Sequence, residues 1–193
     1  MQRYRKVSND DPTRSGMREM SLMHVFRASA GRRDGRDPDQ HYQDGERDLT
    51  LRSQKRRDGT DEAALRHNIA LDVSSLMNTI RLDVIVGMSD TPRVAKSVVN
   101  FGFQDMDSLW RDHRNPQDMA AAIRETLIAN EPRLRPSTIE VRIDDTGPGK
   151  DQRLQFEIVA EMISNPSDIP LQFYAEVDPA AGKIALKRMQ GDS

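Results

Sequence analysis

One change of rhythm constrains this chain more than any other feature. Up to Asn130 the apolar residues recur every three or four positions, and from Ile139 onward they alternate. A helix gathers residues three and four apart on one face, whereas a strand gathers every second residue. The first pattern predicts helices and the second a sheet. The handover falls at Asn130-Glu131-Pro132-Arg133-Leu134-Arg135-Pro136. Pro132 cannot continue a helix and biases its predecessor towards extended geometry, so the helix stops near Asn130. Glu131 is the odd choice there, because a carboxylate at a helix C-terminus meets the negative end of the dipole, at a cost of a few tenths to ~1 kcal/mol. Such a residue marks a place where function overrides propensity. The local reading is that Glu131 pairs with a neighbouring arginine such as Arg133 or Arg135.

Ahead of the junction, Leu65, Ile69, Val73, Leu76 and Ile80 form a one-face stripe that predicts a helix of five turns, with Thr60 as its N-cap and Asp61 and Glu62 in its first turn. Leu82 to Asp90 fits no single template, and Val84-Ile85-Val86 within it suits a buried connector. Thr91-Pro92 reads as a cap followed by proline at the first helical position, opening a helix that carries Val94, Val98 and Val99 and ends at Gly102, a candidate left-handed cap. Gln104 to Arg114 holds Leu109 and the single tryptophan, Trp110. Asn115-Pro116 repeats the cap-plus-proline signal with Asp118 at the capping-box position, and Met119, Ile123 and Leu127 line one face.

Beyond the junction four strands are expected: Ile139–Ile143, Leu154–Met162, Leu171–Val177 and Lys183–Met189. Turn-rich Asp144 to Lys150, a loop from Asn165 to Pro170, and Asp178 to Gly182 separate them. Short polar connectors imply an antiparallel meander with one face buried under the helices and one wet. The fold class is α+β, N-terminal helices packed on a C-terminal four-stranded antiparallel sheet. The last strand, short and largely cationic, is a candidate edge.

Residues 1–59 read differently, as a largely disordered charged arm before a body spanning 60–193. The arm has no apolar period except at 19–28, where Leu22, Met23 and Phe26 share one face of a short helix that forms on docking. Glycines and mixed charges through 30–59 mark a solvated tether, and removing 1–58 is expected to leave the body folded. Residues 1–60 hold 14 Lys+Arg against 10 Asp+Glu, and the remainder 15 against 21. A mildly basic arm therefore precedes a mildly acidic body, without the basic footprint of a nucleic-acid binder. No apolar run approaches the roughly 20 residues of a membrane span, and no signal-peptide core opens the chain. Without cysteine there is no disulfide or thiolate chemistry, which suits a cytoplasmic protein.

The residues for catalysis are equally thin. His24, His41, His67 and His113 are too scattered to share a metal. Gly147-Pro148-Gly149-Lys150 has the end of a phosphate loop, but Asp151 stands where Ser or Thr is required and a strand follows. There is no Gly-x-Ser-x-Gly elbow. Paired carboxylates of a glycosidase are the one enzymatic alternative, and 31 acidic residues make candidates too plentiful to discriminate. No cofactor is expected.

Four stretches carry a family resemblance. Leu65 to Thr79, Val94 to Gly102 (VAKSVVNFG), Glu131-Pro132-Arg133-Leu134 after a helix and before a strand, and Ser21-Leu22 followed by Phe26 occur in the order found in TssE. The chain thus resembles the TssE family of type VI secretion baseplate subunits, related to phage wedge proteins once called lysozyme-like. It differs in Phe103-Gln104, where that family has Leu-Pro, and in Ile80, where it has arginine. The resemblance implies a structural, non-enzymatic protein in a wedge with TssF, TssG and TssK, in contact with the sheath proteins TssB and TssC. It implies that Glu131, Pro132, Arg133 and Leu134 bind a partner, with the cation for Glu131 partly on another chain. It also implies that a free sheet edge accepts a sheath strand. The baseplate would lie at the cytosolic face of the inner membrane without inserting into it.

Overall fold

The computed structural model describes residues 17–33, 42–43, 46–47, 59–105, 115–144, 154–178 and 182–188. The chain divides into two units, residues 1–65 and 66–193.

In the first unit, Arg18 and Thr60 exchange backbone hydrogen bonds of 2.8 and 2.9 Å as an antiparallel bridge, and the Arg18 guanidinium reaches Glu62 at 3.0 Å. Helix α1 spans Leu22–Arg32, and two short strands, β1 (Tyr42–Gln43) and β2 (Glu46–Arg47), pair antiparallel. Other residues of the expected tether lie outside the described residues. The apolar residues read for α1 do share one face, and that face is exposed. Leu22, Met23 and Phe26 are its exposed residues, Met23 at 70%, while His24, Val25 and Ser29 are buried.

Helix α2 spans Glu62–Met77. Its cap is Asp61, whose carboxylate accepts from the Ala64 N–H at 2.6 Å, one residue later than expected because Thr60 is engaged by Arg18. Leu65, Ile69, Val73 and Leu76 form the buried stripe as read, but Ile80 lies beyond the helix and is exposed.

The segment between α2 and the next long helix departs most from expectation. Val84-Ile85-Val86 is no buried connector; all three side chains face solvent. The helix opened by Pro92 is a single turn, α3 (Pro92–Ala95), because the Ser97 hydroxyl accepts from Val99 N–H and starts a separate 3-10 turn at Val98–Asn100. Val94, Val98 and Val99 are consequently exposed. Gly102 is not a helix cap. With φ 136°, it lets the chain pass against the Thr79 carbonyl, which a Cβ would strike. There Phe103 N–H donates to Thr79 O at 2.7 Å and Arg81 N–H to Phe103 O at 2.9 Å, closing a loop whose ends lie side by side. The stretch 106–114, with Leu109 and Trp110, lies outside the described residues.

Helix α4 (Pro116–Asn130) begins and ends as read. The Asn115 side chain accepts from Gln117 N–H at 3.1 Å, Pro116 occupies the first turn, and Met119, Ile123 and Leu127 are buried. Strands β3 (Glu140–Ile143), β4 (Leu154–Met162), β5 (Ile169–Asp178) and β6 (Lys183–Arg188) follow in that spatial order, all antiparallel. Phe156, Ile158, Ala160 and Met162 of β4 and Ile169, Leu171, Phe173, Ala175 and Val177 of β5 alternate inward, as a half-covered sheet requires. Pro170 belongs to β5 rather than to the preceding loop. It is tolerated because β6 pairs only Phe173–Asp178, so the outer side of β5 at Pro170 needs no ladder donor. The expected turns at 145–150 and 179–181 lie outside the described residues. Polar side chains tie the helices to the sheet: Asn78 exchanges hydrogen bonds with the Ile184 backbone at 2.9 and 3.2 Å, and Arg124 donates to Ile139 O at 2.9 Å.

Candidate partner-binding site at the helix–sheet junction

Helix α4 stops because Pro132 has no N–H to offer. Its last capping bond runs from Glu131 N–H to Leu127 O at 2.9 Å, and Leu134 N–H closes a turn on Glu131 O at 3.1 Å. The chain then lies along the end of β4. Arg135 N–H donates to Glu161 O and Ile163 N–H to Arg133 O, both at 2.8 Å, with Leu134 bridged to Met162. A 3-10 turn, Pro136–Thr138, takes up the slack before β3, and the Thr138 hydroxyl accepts the Glu161 N–H at 3.0 Å. The junction is thus a fifth contributor to the sheet, stitched to β4 beside β3.

The four candidate residues separate by depth. Leu134 is in the core, Glu131 is buried at 6% exposure, Arg133 is half-buried and Pro132 is exposed. Glu131 and Arg133 face one another. The Glu131 carboxylate accepts from Arg133 Nε and Nη2, each at 2.6 Å, and from the Arg133 backbone N–H at 3.3 Å. Arg133 Nη2 also reaches Asp72 of α2 at 2.8 Å. The cation that makes Glu131 tolerable at the helix terminus is therefore on the same chain, two residues on, and this is the local reading of the sequence. Burial alone would lower the Arg133 pKa, but the hydrogen bonds and charges of Glu131 and Asp72 outweigh it and hold the guanidinium above its ordinary value. The guanidinium's planar fork suits this two-oxygen grip as an ammonium would not.

A second pair edges the site. Arg135 Nε donates to Asp168 at 2.9 Å, and Ser164 N–H donates to the same carboxylate at 3.3 Å. The Arg135 bond first, and the Ser164 bond after it, hold Asp168 below the usual carboxylate range. The Asp168 bond likewise raises Arg135.

Sequence reasoning brought Glu131 and Arg133 together but missed Asp72. It is the one acidic residue of α2 beyond the first turn, but no local pattern ties it to Arg133, 61 residues away. Chemically the cluster is two carboxylates sharing a guanidinium, and both oxygens of Glu131 are engaged within the chain. What it offers outward is the Pro132 ring beside the part-exposed flanks of Arg133 and Asp72.

The sheet offers a different surface. β3 and β6 are the outer strands among the described residues. Outward-facing backbone groups alternate along an edge. On β6 the pair at Ile184 is already taken by the Asn78 amide, so the next outward position is Leu186. No helix among the described residues is long and apolar enough to cross a membrane.

The family model described as baseplate wedge protein gp25 matches residues 63–167, more than half of the chain and all of the junction. No curated protein matches, and no solved structure does. The chain belongs to the baseplate wedge protein gp25 family, the family of TssE.

Proposed function

We propose that this member of the gp25 wedge family is a structural subunit of a type VI secretion baseplate. In this reading it joins the wedge core, formed with TssF, TssG and TssK, to the TssB/TssC sheath and helps to initiate sheath assembly, working at the cytosolic face of the inner membrane without chemistry of its own. The observation that carries the reading is the family match across 63–167. The engaged state of Glu131, the buried carboxylate among the described residues, supports a structural rather than a catalytic role. Strand β6 beyond Ile184 is the edge on which a sheath strand would pair.

Glu131, Pro132, Arg133 and Leu134 act together as the docking element. Leu134 and Glu131 fix the segment from inside, and Pro132 with the exposed flank of Arg133 meets the partner. Because proline fixes φ, little backbone entropy is lost on docking.

The test is co-expression with TssF, TssG and TssK. Wild-type protein is expected to co-purify with them, and Pro132→Ala to melt within a few degrees of wild type while losing at least tenfold in association. Undiminished association of Pro132→Ala would make the segment a folding element alone. Absence of association by wild-type protein would remove the baseplate assignment.

A further inference from the structure

The loop between Thr79 and Phe103 is inside out. Of residues 80–102 only Asn100 and Gly102 are buried, whereas Ile85 is 75% and Val98 88% exposed, with Val86 and Val99 beside them. Loops are usually polar outside because exposed apolar surface gains nothing from folding.

This loop is nonetheless held from within. Its ends are locked by the Thr79–Phe103–Arg81 hydrogen bonds. Across its middle the buried Asn100 amide accepts from Asp83 N–H and donates to Ala95 O, both at 2.9 Å. A polar pin thus presents a set of β-branched side chains, whose χ1 is already restricted. Such a surface loses little entropy when it is covered.

We propose that this loop is a second docking surface, and that its occupant is an apolar protein surface edged with carboxylates on another wedge subunit. This rests on the wedge reading above. Charge selects the occupant. Arg81 is offset by Asp83 at 3.1 Å, and the exposed Asp90 offsets one further charge, so Arg93 and Lys96, exposed on either side of Val94 and next to Val98, leave the apolar surface with a margin that is cationic by one charge. Carboxylates opposite that margin steer and orient association. A second copy of this chain fits less well, since a two-fold contact through the loop sets the same two cations against each other. A lipid surface also fits less well. Interfacial segments place Trp, Phe or Leu in the acyl boundary, and Ile and Val dominate the exposed residues here.

The experiment uses the full chain and the purified wedge subunits. Ile85→Ser/Val98→Ser/Val99→Ser is expected to melt as wild type does and to bind at least tenfold more weakly. Arg93→Glu/Lys96→Glu should bind several-fold more weakly and lose the salt dependence that wild-type binding shows, a change that a purely structural role would not produce. Wild-type affinity in the triple variant overturns the docking surface while leaving the wedge reading standing. Failure of the wild type itself to bind overturns both. A wild-type dimer in sedimentation that the triple variant abolishes, or vesicle binding by wild type that it abolishes, overturns the proposed occupant.

Discussion

The junction at 131–135 and the loop at 79–103 both invert the usual placement of residues, in opposite directions. At the junction charges go inside: Glu131 is buried, bonded to Arg133 and through it to Asp72. In the loop hydrophobic side chains go outside, and the group on the inside is the Asn100 amide. The difference shows where each region's free energy resides. The junction is held by side chains that see one another and cannot be truncated without stranding a partner. The loop is held by backbone closure and one polar pin, so its apolar side chains carry almost none of its stability. Truncating the charged pair should therefore damage folding at the first, and truncating the exposed apolar side chains should damage recognition at the second.

The sharpest way to break this comparison is at the junction. Arg133→Ala leaves two carboxylates facing each other, one of them buried. Removing one partner of a buried pair typically costs about 3–5 kcal/mol, and the exposed flank of this one places it towards the lower end. Glu131→Ala should cost less, about 2–3 kcal/mol, because Asp72 still holds the guanidinium. Thermal or urea unfolding reads both. Equal melting of the two variants with wild type would mean that the pair is dispensable to the fold, and its burial would then need an interface to explain it.

On the loop, backbone matters most. Gly102→Ala forces a side chain into φ 136° and against the Thr79 carbonyl, a combined cost of about 2–4 kcal/mol. Hydrogen exchange at the Phe103 and Arg81 amides should rise by orders of magnitude more than at the β4 amides, since the closure opens before the sheet does. Unaltered exchange at those two amides would show that the loop is not held at its ends.

Asn100→Ala comes next, at about 1–3 kcal/mol, because it strands the Asp83 N–H and the Ala95 carbonyl together. A melting temperature unchanged by this substitution would mean that the amide is no pin, and that the loop's order comes from its ends alone.

How much of this could be read from the sequence follows from the range of the forces. The stripe of α2, the start and end of α4 and the alternation of β4 and β5 are local patterns written in consecutive residues, and all were legible. So was the attraction between Glu131 and Arg133, two residues apart. Asp72 was not, because it lies 61 residues from Arg133 and only the tertiary fold brings them together. The loop misled for a different reason. Val94, Val98 and Val99 have helical spacing, and a burial reading follows whenever apolar periodicity is taken as a sign of core. The Ser97 hydroxyl bond to Val99 N–H and the Gly102 contact break that helix, and neither has a periodic signature. The exposed face of α1 is the same lesson at smaller scale: apolarity names a face that something covers, and that need not be this chain's own core.

The smallest expected effect lies at the rim of the junction, and it separates the rim from the buried pair by pH. Asp168 has its folded pKa lowered, by the Arg135 hydrogen bond first and the Ser164 N–H after it. A carboxyl lowered in the folded state contributes stability that is fully present above its unfolded value, near 3.9, and that fades as pH falls through the folded value. Arg135 is raised from an already high value, so it stays charged throughout the accessible range and adds no slope there. Asp168→Asn should therefore lower the melting temperature slightly and by a constant amount from about pH 5 to 8, and the gap from wild type should close below about pH 4. Because the Arg135 side chain is exposed, added salt should shrink the gap at neutral pH. A gap that persists unchanged at pH 3 would have to come from something other than the charge. The Ser164 N–H bond, which an amide oxygen can also accept, is kept in this variant and is thereby excluded as that source.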